Sequence, residues 1–207
     1  MPVKFIELSE EAKARAVLST RSFMMRNFSQ DDRNRLTAKL SEMVKNHGYS
    51  PTGVRWSFNV NNDSGRLAFY GEVADLISVA KRTLSKRDYR LFKWLHDMFN
   101  IRLSIVDNGS SSRNYASMDC YIHLHNHRNL DHFHDMSELV QKIRHVVRED
   151  ARHTAEQIFS KGLNMVKGMF SEENIRRAID MFNFDFKEDG TIIAPATRPN
   201  FSVLHRG

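Results

Sequence analysis

A single cysteine, Cys120, stands among 207 residues, so no disulfide can form within the chain and a reducing compartment fits. No run approaches the roughly 18 consecutive apolar residues that a membrane-spanning helix needs. The opening Met1-Pro2-Val3-Lys4-Phe5-Ile6-Glu7 holds an apolar run too short for a secretory signal. The expected location is therefore the cytoplasm, with no membrane partner. Proline is absent between Pro51 and Pro195, which leaves the middle of the chain free for uninterrupted regular structure. No internal repeat or low-complexity tract is present. A phosphate-binding glycine loop, a Ser-His-Asp arrangement and a paired-carboxylate motif are also missing. The sequence therefore favours binding over catalysis and nominates no catalytic residue.

What is present is basic and aromatic. The formal charge is +6 with a pI near 9.5, a balance that favours polyanions: nucleic acid, an anionic membrane surface or an acidic partner protein. The apolar share of 41% is enough for a sizeable core, and fourteen Phe with ten Met make that core aromatic and adaptable. The length points to one domain over 1–190, followed by an irregular tail over 191–207.

Helical signals open the chain. Ser9 precedes Glu10 and Glu11, acids placed at the positive end of a helix dipole, and Val17, Leu18, Met24, Met25 and Phe28 follow at helical spacing. Ser29 with Asp32 starts a second helix through Leu36, Leu40, Met43 and Val44, closed by Gly48. The pair reads as an αα-hairpin. The period then changes to two. Val54, Trp56, Phe58 and Val60 alternate with polar residues, Asn61 to Gly65 make a turn, and Leu67 and Phe69 alternate in a return strand. A helical pattern resumes near Glu72, and Ser85 with Asp88 caps a segment expected to turn Leu91, Trp94, Leu95 and Met98 inward. A second hairpin follows, with Ile101, Leu103 and Ile105 in one strand and Ala116, Met118, Cys120, Ile122 and Leu124 in the next. A long helical stretch from about Ser137 to Phe170, with a bend expected near Gly162 or Gly168, precedes a last helix capped by Ser171. These elements predict an α+β fold: an antiparallel four-stranded sheet of two hairpins, packed with several helices.

Three segments resemble a group of small bacteriophage proteins described as antitoxins of toxin–antitoxin stability systems. They are the opening FIELSEEAKARAV from Phe5, the hairpin WSFNVNNDSGRLAFYGEV from Trp56, and the C-terminal SEENIRRAIDMFNFDFKEDGTI from Ser171. The turn departs from that group's Gln-Gly-Asp-Gly pattern, having Asn62-Asp63-Ser64-Gly65, and the histidines between 123 and 134 lie outside the pattern. The resemblance implies a phage origin, a host-cell cytoplasmic location and, from the description, an antitoxin-like role.

Three constellations carry chemistry. If the hairpins share one sheet, Arg55, Arg66, Tyr70, Arg102, Tyr115, Tyr121 and His123 fall on one side. Arginine forks bind phosphates and tyrosine rings stack on unpaired bases; the alternative is a face covered by helices or merely solvated. Lys86, Arg90 and Lys93, with Lys81, Arg82 and Arg87 nearby, form a basic helical stripe suited to a phosphate backbone, or simply the solvated side of an amphipathic helix. His123, His125 and His127, with His132, His134, Asp119, Asp131 and Asp135 close in sequence, could begin a Zn²⁺ site. They could equally be a polar strand end or a patch that titrates near neutral pH. No other cofactor is implied, and Cys120 reads as a small core residue. The expectation is a phage-type accessory protein that binds RNA or single-stranded DNA. The alternatives are an inhibitor or antitoxin that captures an acidic host protein, and a metal-dependent nuclease using the histidines.

Overall fold

The computed structural model describes residues 1–107, 118–123 and 134–195. Among them are six α-helices: α1 (Glu10–Arg26), α2 (Gln30–Asn46), α3 (Leu76–Thr83), α4 (Lys86–Phe99), α5 (His134–Met169) and α6 (Glu172–Phe182). Seven strands accompany them: β1 (Val3–Lys4), β2 (Ser50–Asn59), β3 (Ser64–Glu72), β4 (Arg102–Asp107), β5 (Met118–His123), β6 (Asp185–Phe186) and β7 (Ile192–Ile193). The fold is α+β, as the alternation of periods in the sequence predicts.

Serine begins four of the helices in the same way. The hydroxyls of Ser9, Ser29, Ser85 and Ser171 accept from the N–H groups of Ala12, Asp32, Asp88 and Asn174 at 3.1–3.3 Å, satisfying donors that the first helical turn leaves without partners. Ser29 and Ser85 also donate to the Asp32 and Asp88 carboxylates. The helices α4 and α6 end on Asn100 and Asn183 in the left-handed conformation, at φ of 46° and 48°.

The chain divides into two compact units, Met1–Leu36 with Asn164–Gly207, and Thr37–Leu163. In the first, α1 and α6 share a core of Ala12, Ala16, Val17, Met24, Ile175, Ala178 and Ile179. A three-stranded sheet in the order β1-β6-β7 completes it. The last strand lies in the stretch that reads as an irregular tail. Sequence periodicity does not reveal this sheet, because a two-residue strand shows no alternation.

The second unit holds the four-stranded antiparallel sheet, in the order β2-β3-β4-β5. The two hairpins join where Gly71 pairs with Ile105 and Glu72 with Ser104. Register then fixes the faces, since directly opposed residues point the same way. Val54, Trp56 and Phe58 oppose Phe69, Leu67 and Gly65; Leu103 and Ile105 oppose Ile122 and Cys120. This side is the core, where Leu67, Phe69, Leu103, Ile105, Met118 and Cys120 are all buried.

The long helix α5 meets that core face. Ile143, Val147, Ala151, Ala155 and Ile158 are buried along it, and the Phe159 ring lies 5.4 Å from Phe58. It runs as one helix through Gly162 and Gly168. Gly162 is a packing residue: a Cβ there would lie 2.6 Å from Phe58 Cζ and 3.0 Å from Leu40 Cδ2. Helix α4 corrects one expectation from the sequence. Phe92 and Leu95 are its buried residues, whereas Leu91, Trp94 and Met98 are exposed by 45%, 53% and 59%.

Candidate nucleic-acid interface

The side of the sheet opposite the core carries the residues that the alternation selects. Arg55 opposes Ala68, Ser57 opposes Arg66 and Gly53 opposes Tyr70. Across the seam, Glu72 opposes Ser104, which opposes Tyr121, while Arg102 opposes His123. Arg55, Arg66, Tyr70, Arg102 and Tyr121 thus share one face. Arg55, Arg66 and Arg102 are exposed, and Tyr70 is half-buried. Three interstrand spacings of about 4.8 Å make this face roughly 14 Å wide.

The two tyrosines differ in role. Tyr70 lies across Gly53, where an added Cβ would run into its hydroxyl, and the Arg55 guanidinium sits 5.6 Å from its ring centre. Tyr121, on the edge strand β5, is 46% exposed. The Arg144 guanidinium of α5 is 5.6 Å from the Tyr121 ring centre and 3.1 Å from the Asp119 carboxylate. The edge of the face therefore holds an arginine–tyrosine pair, with Asp119, on the same side of the strand as Tyr121, fixing the arginine. Arg144 and Arg148, on one side of α5 at an i, i+4 interval, escape a reading focused on the strands, although the run Arg144-His145-Val146-Val147-Arg148 is visible in the sequence.

The helical stripe is present. Lys86, Arg90 and Lys93 are exposed on α4, with Arg87 beside them and Lys81 exposed on α3. Arg82 has another task. Its guanidinium donates to both oxygens of Asp150 at 2.9 and 2.6 Å and to the His47 carbonyl at 2.7 Å. Tyr49 donates to Asp150 at 2.5 Å, and burial together with this bond pushes the tyrosine hydroxyl far above its usual range. The Tyr49–Asp150–Arg82 network ties the residue just before β2 to α5 and α3. His47, beside it, has its pKa lowered, first by burial and then by the Arg82 charge.

Of the histidine group, His123 places its backbone in β5 opposite Arg102; His125 and His127, like Tyr115, lie outside the described residues. Among the described residues no three His, Cys, Asp or Glu side chains come together to hold a metal ion. Cys120 is fully buried, and burial pushes its thiol up to about 12, so it remains a protonated core group. No helix among the described residues is long and apolar enough to cross a membrane.

No protein-family model matches the chain, and neither the curated proteins nor the solved structures contain a significant match to it.

Proposed function

We propose that the chain is a phage-type accessory protein that binds single-stranded nucleic acid, RNA or DNA, without catalysis, on the polar face of its four-stranded sheet. One observation carries the reading: strand register puts Arg55, Arg66, Arg102 and the half-exposed Tyr121 on the side away from the core. The guanidinium groups suit phosphate oxygens, and the tyrosine ring, braced by Arg144, suits an unpaired base. A duplex offers no free base face to such a ring, which favours single strands. The basic balance of the chain adds long-range attraction.

The test is a titration of fluorescently labelled oligo-U and oligo-dT followed by anisotropy. Replacing Arg55, Arg66 and Arg102 together by Glu is expected to weaken binding at least about tenfold, because three attractive contacts become repulsive. The melting temperature should change little, since all three side chains are exposed and Arg55 gives up only surface contacts such as that with Tyr70. Unchanged affinity in a folded triple variant would remove the sheet face from consideration.

A further inference from the structure

A second surface, on α4, has a chemistry that the sheet face lacks. Lys86, Arg87, Arg90, Leu91 and Trp94 line an open groove of about 640 Å³, and Met98 extends the apolar side one turn further along the helix. Leu91, Trp94 and Met98 recur at i, i+3 and i+7, one stripe of the helix surface. They are about half exposed while Phe92 and Leu95 occupy the core, so the helix is already anchored without them. A contiguous exposed apolar stripe marks an interaction surface, and Trp, Met and Arg are the side chains enriched in protein interfaces.

We propose that this outer face of α4 docks an acidic segment of a partner protein that carries large apolar side chains. The charge decides among occupants. Lys86, Arg87 and Arg90 line the groove and Lys93 is exposed on the same helix, with Asp97 the one exposed acid of α4; Asp88, at its first turn, is held by Lys142 of α5. A second copy of the same face would set the three groove cations against themselves, which costs affinity. A nucleic-acid strand would satisfy the cations and stack on Trp94 but gains little from the aliphatic Leu91 and Met98. An amphipathic acidic segment uses both halves of the surface: carboxylates reach the Arg and Lys rim, and apolar side chains fill the groove beside Trp94.

The experiment uses the full chain and a fluorescein-labelled synthetic helical peptide of about four turns, with Leu and Phe at i, i+4 and i+7 and Glu elsewhere. A second peptide has every Glu replaced by Lys. Anisotropy should show saturable binding of the acidic peptide alone, with a blue shift of Trp94 emission that the Trp94→Phe variant lacks. Binding should fall at least about tenfold in Trp94→Ala and again in Arg87→Glu/Arg90→Glu, both variants melting as the parent does because the side chains are exposed. Oligo-U should not displace the peptide, and the Arg55, Arg66 and Arg102 triple variant should bind it normally, which separates this site from the sheet face. Absence of binding by the acidic peptide up to about millimolar concentration, equal binding of the Lys peptide, or a Trp94 response to oligo-U or to phosphatidylserine vesicles in place of the acidic peptide would each overturn the proposal.

Discussion

Two tyrosines illustrate how the same residue type does different work at different depths. Tyr49 is buried, with its hydroxyl on Asp150 and its ring 4.9 Å from Phe69. Removing that hydroxyl in Tyr49→Phe keeps the packing but leaves Asp150 with Arg82 alone, a loss of about 1–2 kcal/mol of stability. Tyr121 is half exposed on the edge strand and meets Arg144. Tyr121→Ala should cost little stability but should weaken oligo-U binding by about 1–3 kcal/mol, the usual worth of one base stack. Thermal melts and anisotropy on both variants check the pair. A large drop in melting temperature for Tyr121→Ala with unchanged oligonucleotide affinity would give this tyrosine a packing role instead. Sequence alternation assigned Tyr121 to the polar side of its strand. It could not say whether a helix lies over that side, because burial of a polar face depends on which elements pack there.

At the scale of elements, the helix starts were legible because a serine hydroxyl three residues before an N–H is a local signal. The hairpins were legible because period two is local as well. Helix α4 was not. It carries Leu91, Phe92, Trp94, Leu95, Met98 and Phe99, enough apolar residues for two overlapping stripes. Only tertiary packing selects the one through Phe92 and Leu95. Helix α5 continues through two glycines despite their low helix propensity. Its two glycines then give opposite predictions. Gly168 is exposed and a Cβ there meets nothing within 4 Å, so Gly168→Ala should stabilise by about 0.5–1 kcal/mol through reduced unfolded-state freedom. Gly162 faces the Phe58 ring and Leu40, so Gly162→Ala should destabilise by about 1–3 kcal/mol through overpacking. Urea denaturation of the two variants tests this, and equal stabilisation would mean that Phe58 yields to the methyl group.

For the whole molecule, the charge of +6 states a preference for anions without saying where they bind; the two surfaces divide that preference by the groups accompanying the cations. On the sheet, Arg55 stands over Tyr70 and Arg144 over Tyr121. On α4 the cations border Leu91, Trp94 and Met98. The two modes should therefore respond differently to salt. A single strand bound through Arg55, Arg66 and Arg102 releases counterions from the phosphates they neutralise, so log affinity should fall against log salt with a slope of about −2, at about −0.7 per contact. Each single Arg→Gln change should bring that slope toward zero by about 0.7. Binding of the acidic amphipathic peptide on α4 depends in part on apolar burial, which added salt does not screen, and should retain measurable affinity where oligo-U has dissociated. Anisotropy titrations of both probes between low and moderate salt make the comparison. An oligo-U slope near zero would leave the arginine face without a role in phosphate binding, whatever the total charge of the chain.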